Sequence, residues 1–277
     1  MADLWAPKRR IEEAYRKALR KVLLGLADSL TDYDDPLGLV RAIKRFSYSR
    51  DFDRYAEATA TQLVTHLFTD AGRTWRQAAR ANSRGRMVYQ ALRREMQGPL
   101  GGAIRHQIER NASIIKSLPL DVAKHATEHI LSEHLRGARS DDIVSQIQGL
   151  FPHFAETRAR LIARTETSKT STALTQSRSQ LVGVQWYVWR TAHDGDRVRA
   201  SHRIMEGVLV RWNIPPNPEA LEGEKHAYGH YHAGEIFNCR CYPEPVIDLS
   251  MISWPAKVYY GGAIQRMTRY QFEQITG

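Results

Sequence analysis

Cys239 and Cys241 are the only cysteines in the chain, two residues apart and downstream of Asp194, His202 and a run of further histidines. Thiolates, imidazoles and carboxylates are the groups that hold zinc, which takes about four of them. Ile236 to Cys241 reads as a short strand. In a strand, residues two apart project from one face, so both thiols would reach one ion while Arg240 points away. His202 is the third candidate ligand, and Asp194, His193, His226, His230 or His232 could complete the shell. The same pair also fits two buried free thiols or a strained local disulfide. A zinc here would be structural. The chain has no His-Glu-x-x-His and no paired carboxylates, so no residue is assigned a catalytic role. The alternative is a metal-dependent nuclease or hydrolase using Asp194, His202, Cys239 and Cys241.

A second set is basic. Arg73, Arg76, Arg80 and Arg84 are spaced by three, four and four, which places them in one stripe on a helix. Arg86, Arg93 and Arg94 follow, and no acidic residue stands between Asp70 and Glu95. Guanidinium groups in such a row suit phosphates or carboxylates, through contacts that carry no base specificity. A solvated helix face explains the row as well. A third set is Arg164 and Glu166, two apart on a Ser/Thr-rich helix. They point in different directions and cannot pair well, so each ties the helix to something else, such as the loop carrying Asp194, Asp196 and Arg199.

These residues need elements to position them. Ile11, Tyr15, Ala18, Leu19, Val22, Leu23, Leu26 and Leu30 make one apolar helix face, with Lys and Arg opposite. Thr31 to Pro36 breaks the pattern. Helical pattern then covers about 50–97, is interrupted at Gly98 to Gly102, and resumes to 135 with an expected stop at Leu118-Pro119. Ser140 looks like an N-cap backed by Asp141 and Asp142, and another helix is expected from about Phe154 to Gln180. After Gly183 the pattern alternates, placing Val184, Trp186 and Val188 on one face of a strand, and Val208 to Trp212 reads as another. The inferred fold is α+β: a mostly helical region over 1–149, a small α+β domain with a short antiparallel sheet over 150–247, and a tail over 248–277.

Composition bounds the function class. The 277 residues are 42% hydrophobic and 25% charged, a globular balance able to bury a core. No apolar run is long enough to cross a bilayer, and the first ten residues lack the apolar block of a secretory signal. Two cysteines do not make a disulfide framework, which fits synthesis in a reducing cytoplasm. The net charge of +10 is uneven: 27 Lys and Arg against 19 Asp and Glu before residue 161, then 13 against 11. The excess would draw a polyanion or an acidic protein surface to the first half.

In order, these pieces resemble the phage Mu F-like family of head-morphogenesis proteins. The resemblance rests on Ala163-Arg164-Thr165-Glu166, on Trp189 closing a strand, on Asp194/Asp196-Arg197-Val198-Arg199 leading to His202, on Gly207, and on Asn238-Cys239-Arg240-Cys241. It covers about 150–247, with a weaker helical part back to about 100 that includes Asn111 to Pro119. The chain departs from the family before Asn238, where His230 to Glu235 replaces a Pro-rich stretch. The resemblance implies a minor capsid component of a tailed-phage virion, at or near the portal vertex, made in the host cytoplasm. Its implied partners are portal protein and major capsid or scaffold protein, with non-specific contact to double-stranded DNA, and no membrane. The structural motif residues would be Arg164, Glu166, Trp189, Arg199, Gly207 and Asn238.

Overall fold

A computed structural model describes residues 4–80, 99–192 and 198–276. Arg84 and Asp194, together with Arg86, Arg93, Arg94, His193, Asp196 and Arg197, lie outside the described residues.

The first half is helical. α1 (Arg9–Asp28) buries Ile11, Tyr15, Leu19, Val22, Leu23 and Leu26, so its apolar face is docked on protein and its basic face meets solvent. α2 (Pro36–Ser47) begins where the Asp35 carboxylate accepts from the amides of Leu37 and Gly38, with Pro36 contributing no amide. α3 (Arg50–Arg80), α4 (Pro99–Leu135) and α5 (Ser140–Leu181) are long. Two expected breaks are absent. α4 runs through Pro119, and α5 runs through Pro152 as one helix instead of restarting near Phe154. A mid-helix proline costs about 3 kcal/mol. Ile115, Leu118, Val122 and Ala123 around Pro119, and Ile147, Phe151 and Ala155 around Pro152, are all buried. At about 1.5–3 kcal/mol for each large side chain, that burial outweighs the lost hydrogen bond.

The second half carries an open five-stranded sheet in the order β3-β1-β2-β4-β5. Its strands are β1 (Trp186–Arg190), β2 (Leu209–Arg211), β3 (Tyr242–Pro245), β4 (Ala256–Tyr260) and β5 (Ala263–Met267). Short helices α6 (Ala200–Ile204) and α7 (Pro218–Glu222) lie between strands, and α8 (Arg269–Thr276) follows the last. The fold is α+β. The sheet is mostly antiparallel, but β2 and β4 pair in parallel, Leu209 beside Val258, a pairing the sequence pattern does not announce. Both faces are buried. Tyr187, Trp189, Val208 and Val210 face one way with Met205, Trp212 and Tyr259; Trp186, Val188, Leu209 and Val258 face the other with Phe272.

The compact units are drawn differently from the segments 1–149, 150–247 and 248–277. One comprises 1–8, 66–105 and 164–277; the other comprises 9–65 and 106–163. β4 and β5 lie beyond residue 247 yet complete the sheet, because β4 pairs with β2 and Tyr259 joins the core around Trp189. In the other unit, Tyr55 donates to the Ala18 carbonyl and Gln148 to the Leu30 carbonyl, tying distant helices through backbone acceptors.

Candidate metal and thiol site

The cysteines do not lie on a strand. Residues 236–241 are turn and coil, and β3 starts only at Tyr242. Asn238 has φ 55°, a left-handed conformation that ends any strand passing through it. Convergence of the two thiols therefore comes from a turn, not from strand alternation. His202, on α6, meets them: its Nδ1 lies 3.5 Å from Cys239 Sγ and 3.4 Å from Cys241 Sγ. All three side chains are buried, and their ligand atoms lie within 4.8 Å of one another. Among the described residues, no other cluster of His, Cys, Asp or Glu has metal-ligand geometry.

The turn is held by α5. Arg164 Nη1 donates to Asn238 Oδ1 at 2.7 Å, and the Asn238 amide donates to Thr165 Oγ1 at 2.9 Å. Seven residues along, Thr172 Oγ1 donates to the Ala233 carbonyl at 2.7 Å. Gly234, at φ 86°, passes so close that a Cβ would sit 2.7 Å from both Thr172 Oγ1 and the Cys241 carbonyl. The Ser/Thr content of this helix thus has a packing reason. Small hydroxyl side chains let a loop approach and supply donors for its buried carbonyls. Arg164 ties the helix to the cysteine turn. Glu166 is buried on the same helix.

The other motif residues shape the surroundings. Trp189 is fully buried and stands edge-on to the His202 ring at 5.7 Å between centroids. Gly207, at φ 76°, donates its amide to the Trp189 carbonyl and turns the chain from α6 into β2. Arg199, just before α6, donates to the Phe237 carbonyl and stacks on the Phe237 ring at 4.6 Å. It pins the far side of the cysteine turn.

The thiols are electrostatically unequal. A hydrogen bond from Cys241 draws the Cys239 thiol well below the usual thiol range, against desolvation and with help from His202. The same contact, together with burial, pushes Cys241 up. The Cys241 amide also donates to Cys239 Sγ at 3.3 Å, which favours a thiolate there.

The donor set fits zinc. In a tetrahedral site with Zn–S of about 2.3 Å and Zn–N of about 2.05 Å, sulfur and nitrogen ligands sit about 3.6 Å apart. The observed 3.4 and 3.5 Å match that spacing, which a thiol hydrogen-bonded to imidazole also adopts. Of the candidate fourth ligands, Asp194 and His193 lie outside the described residues. His226 and His230 are exposed, with His230 on the Pro215 carbonyl, and His232 is instead bonded to Tyr187 at 3.1 Å. A cavity of about 230 Å³ reaches the cluster, lined by Arg164, Ala192, Val198, Arg199, Asn238 and Arg240 besides His202, Cys239 and Cys241.

Two residues that the sequence reading passed over complete the site. His202 Nε2 lies 3.0 Å from the Tyr231 hydroxyl, which donates to Glu219 Oε1 at 2.5 Å. Burial, the Glu219 contact and the Glu219 charge push the Tyr231 phenol far up, so it stays protonated. Tyr231 carries no signal beyond its place between two histidines, and Glu219 sits in an ordinary Pro-Glu-Ala-Leu helix start.

The arginine row divides on inspection. Arg73 and Arg80 are exposed on α3, whereas Arg76 is half-buried, with its guanidinium beside Gly72 and near that of Arg178. The larger cavity, about 380 Å³ and mostly apolar, lies between α4 and α5 and is lined by Val122, Phe151 and Phe154. His125, His129 and His153 also line it without forming a ligand cluster.

Residues 124–243 match the family profile described as Phage Mu protein F like protein. An uncharacterized protein of Haemophilus influenzae is 33% identical over 138 residues, covering 50% of this chain and 28% of that protein. The chain thus spans under a third of that relative's length. No solved structure matches.

Proposed function

We propose, on the premise that residues 124–243 are a phage Mu F-like segment, that this is a head-morphogenesis protein of a tailed bacteriophage. It acts as a minor capsid component of the virion, at or near the portal vertex. The carrying observation is that the matched segment contains the whole Cys239–Cys241–His202 cluster and the whole of α5, the helix that clamps it. The two parts have distinct roles. The sheet domain is a rigid module, locked around a buried polar centre. The arginine row, whose Arg73 and Arg80 lie on α3 in the same compact unit as the sheet, supplies contact surface, meeting acidic groups of portal, capsid or scaffold protein, or packaged DNA phosphates.

The cluster is read as a structural zinc site held by His202, Cys239 and Cys241, with Asp194 as fourth ligand. Zinc would supply cross-linking of the turn, α6 and the sheet core. No helix of the described residues is long and apolar enough to cross a membrane. Co-expression of the full chain with portal and capsid proteins tests the reading. The expected result is co-purification with portal rings or proheads. Absence from both, with folded protein, overturns it.

The cavity beside the cluster favours one second reading, metal-dependent hydrolysis using Asp194, His202, Cys239 and Cys241. Three arginines would attract a phosphodiester there. Against it, no carboxylate among the described lining residues is placed as a general base. Zinc-loaded protein that cleaves DNA, with cleavage lost in His202→Ala, would establish the enzyme. Metal retention without cleavage supports the structural role.

A further inference from the structure

We propose that His125 and His129 of α4, with His153 of α5, form a second metal site that takes a divalent ion of the zinc type. The site is independent of the cysteine cluster: residues 106–163 belong to one compact unit, and His202, Cys239 and Cys241 belong to the other. Its first support is spacing. His125-Ala126-Thr127-Glu128-His129 has the form His-x-x-Glu-His, the reverse order of His-Glu-x-x-His. On a helix, residues four apart are neighbours, with about 5–6 Å between Cβ atoms. Two imidazoles so placed can converge on one ion at about 2.0–2.1 Å, as the histidines of His-Glu-x-x-His do. α4 is unbroken through the segment, so the spacing is realised.

The second support is where the pair faces. His125 and His129 line the cavity of about 380 Å³ between α4 and α5, and His153 lines it as well. Three imidazoles are the protein ligand set of one kind of open zinc site, whose fourth position is left to water or to a carboxylate. The walls include Val122, Ile147, Phe151 and Phe154, and an apolar shell of this kind limits the access of water to an ion.

Two of the rings are already oriented. His125 packs edge-on to Phe154 at 5.6 Å between centroids, with Nδ1 3.5 Å from Glu128 Oε2. His129 Nε2 lies 2.8 Å from Gln146 Oε1 on α5. Each ring thus has one nitrogen engaged by a carboxylate or an amide, the arrangement that orients ligating histidines, and the other nitrogen remains for an ion. His153 has no hydrogen-bond partner among the described residues. The ligand atoms of the three histidines are not all within 4.8 Å of one another, so binding must draw them together. His125 and His153 are exposed, and their side chains can change rotamer onto an ion without unpacking a core. Glu128 does not line the cavity and is turned to His125 and Lys124, which makes it a positioning residue and the site one that holds metal.

Calorimetric titration of Zn²⁺ into the reduced full chain tests the site. One equivalent is expected to weaken by at least about 10–100-fold in His125→Ala and in His129→Ala, since the loss of a mere supporting residue already costs that much. His134→Ala, on the same helix but outside the cavity, is expected to leave the titration unchanged. Superimposable titrations of wild type and the His125→Ala/His129→Ala double variant overturn the site. An unchanged titration in His153→Ala overturns the bridging of α4 to α5. Co²⁺ bound by these histidines should show visible d–d bands without thiolate-to-cobalt charge transfer, which separates this equivalent from any at the cysteines. A second measurement needs no variant: Zn²⁺ should protect His125 and His129 of the wild type from diethylpyrocarbonate, read by peptide mass spectrometry. Equal modification with and without Zn²⁺ overturns the proposal.

Discussion

The cysteine–histidine cluster and the arginine row of α3 are both sets of chemically able residues, but they are made in opposite ways. The row is local: Arg73, Arg76 and Arg80 fall together because a helix repeats every 3.6 residues. The cluster is assembled over long range, with residues 164–172, 199–202, 219, 231 and 233–241 each fixing another. A surface row can lose a member and keep its character. A buried cluster cannot, because each polar group deprived of its partner is left desolvated. The difference teaches that the row is suited to adaptable contact and the cluster to holding one geometry.

Breaking the cluster itself carries the largest expected effect. Cys239→Ser or Cys241→Ser should lower stability by about 3 kcal/mol or more in protein purified with zinc, since loss of a metal or buried network ranks with the severest substitutions. Chelator should lower the melting temperature of wild type and leave the serine variants unchanged. A chelator-insensitive wild type would reduce the cluster to two buried thiols and an imidazole.

Next comes Gly234→Ala, which leaves the His202, Cys239 and Cys241 side chains themselves unchanged. Positive φ and the 2.7 Å approach to the Cys241 carbonyl should cost about 1–3 kcal/mol in urea unfolding. A neutral result would mean that the turn is not as rigid as the contrast requires.

An intermediate case is the ion network of Glu156 with Arg16, Arg20 and Arg160. The Arg160 hydrogen bond, opposed by desolvation and aided by Arg16, holds the Glu156 carboxyl below its usual 4.5. A depressed carboxylate contributes stability above its unfolded value, and this is lost as pH falls through the folded one. Acid unfolding below about pH 4.5 should therefore be less steep in Glu156→Gln, with a change at neutral pH within about 1 kcal/mol. An identical acid limb in the variant would show the network to be idle.

The smallest stability effect is expected from Arg73→Ala with Arg80→Ala, within about 0.5 kcal/mol. If the row meets DNA, the slope of log K against log salt should fall by about 0.9 for each arginine removed. An unchanged slope would assign the row to protein contact or to solvent.

How much of this was legible follows the same division. The helical first half, the apolar face of α1 and the strands around Trp186 and Leu209 could be read from periodicity, because their signals lie within a few residues. The stop expected at Pro119 and the separate helix start expected near Phe154 are absent, since local pattern predicts a break and only burial of the surrounding face overrides it. The strand expected at 236–241 failed for a related reason: Asn238 takes a left-handed conformation that Arg164 and Thr165 stabilise from 74 and 73 residues away.

The sequence by itself determined the α+β class, the match of residues 124–243 to a Mu F-like profile and the identity of His202, Cys239 and Cys241 as the candidate cluster. These depend on residue type, order and short-range period. Tertiary structure alone decided that the thiols converge through a turn, that the tail residues complete the sheet, and that Glu219 and Tyr231 stand behind His202. Those outcomes depend on which distant groups can satisfy one another's hydrogen bonds once water is excluded, and no spacing along the chain records that.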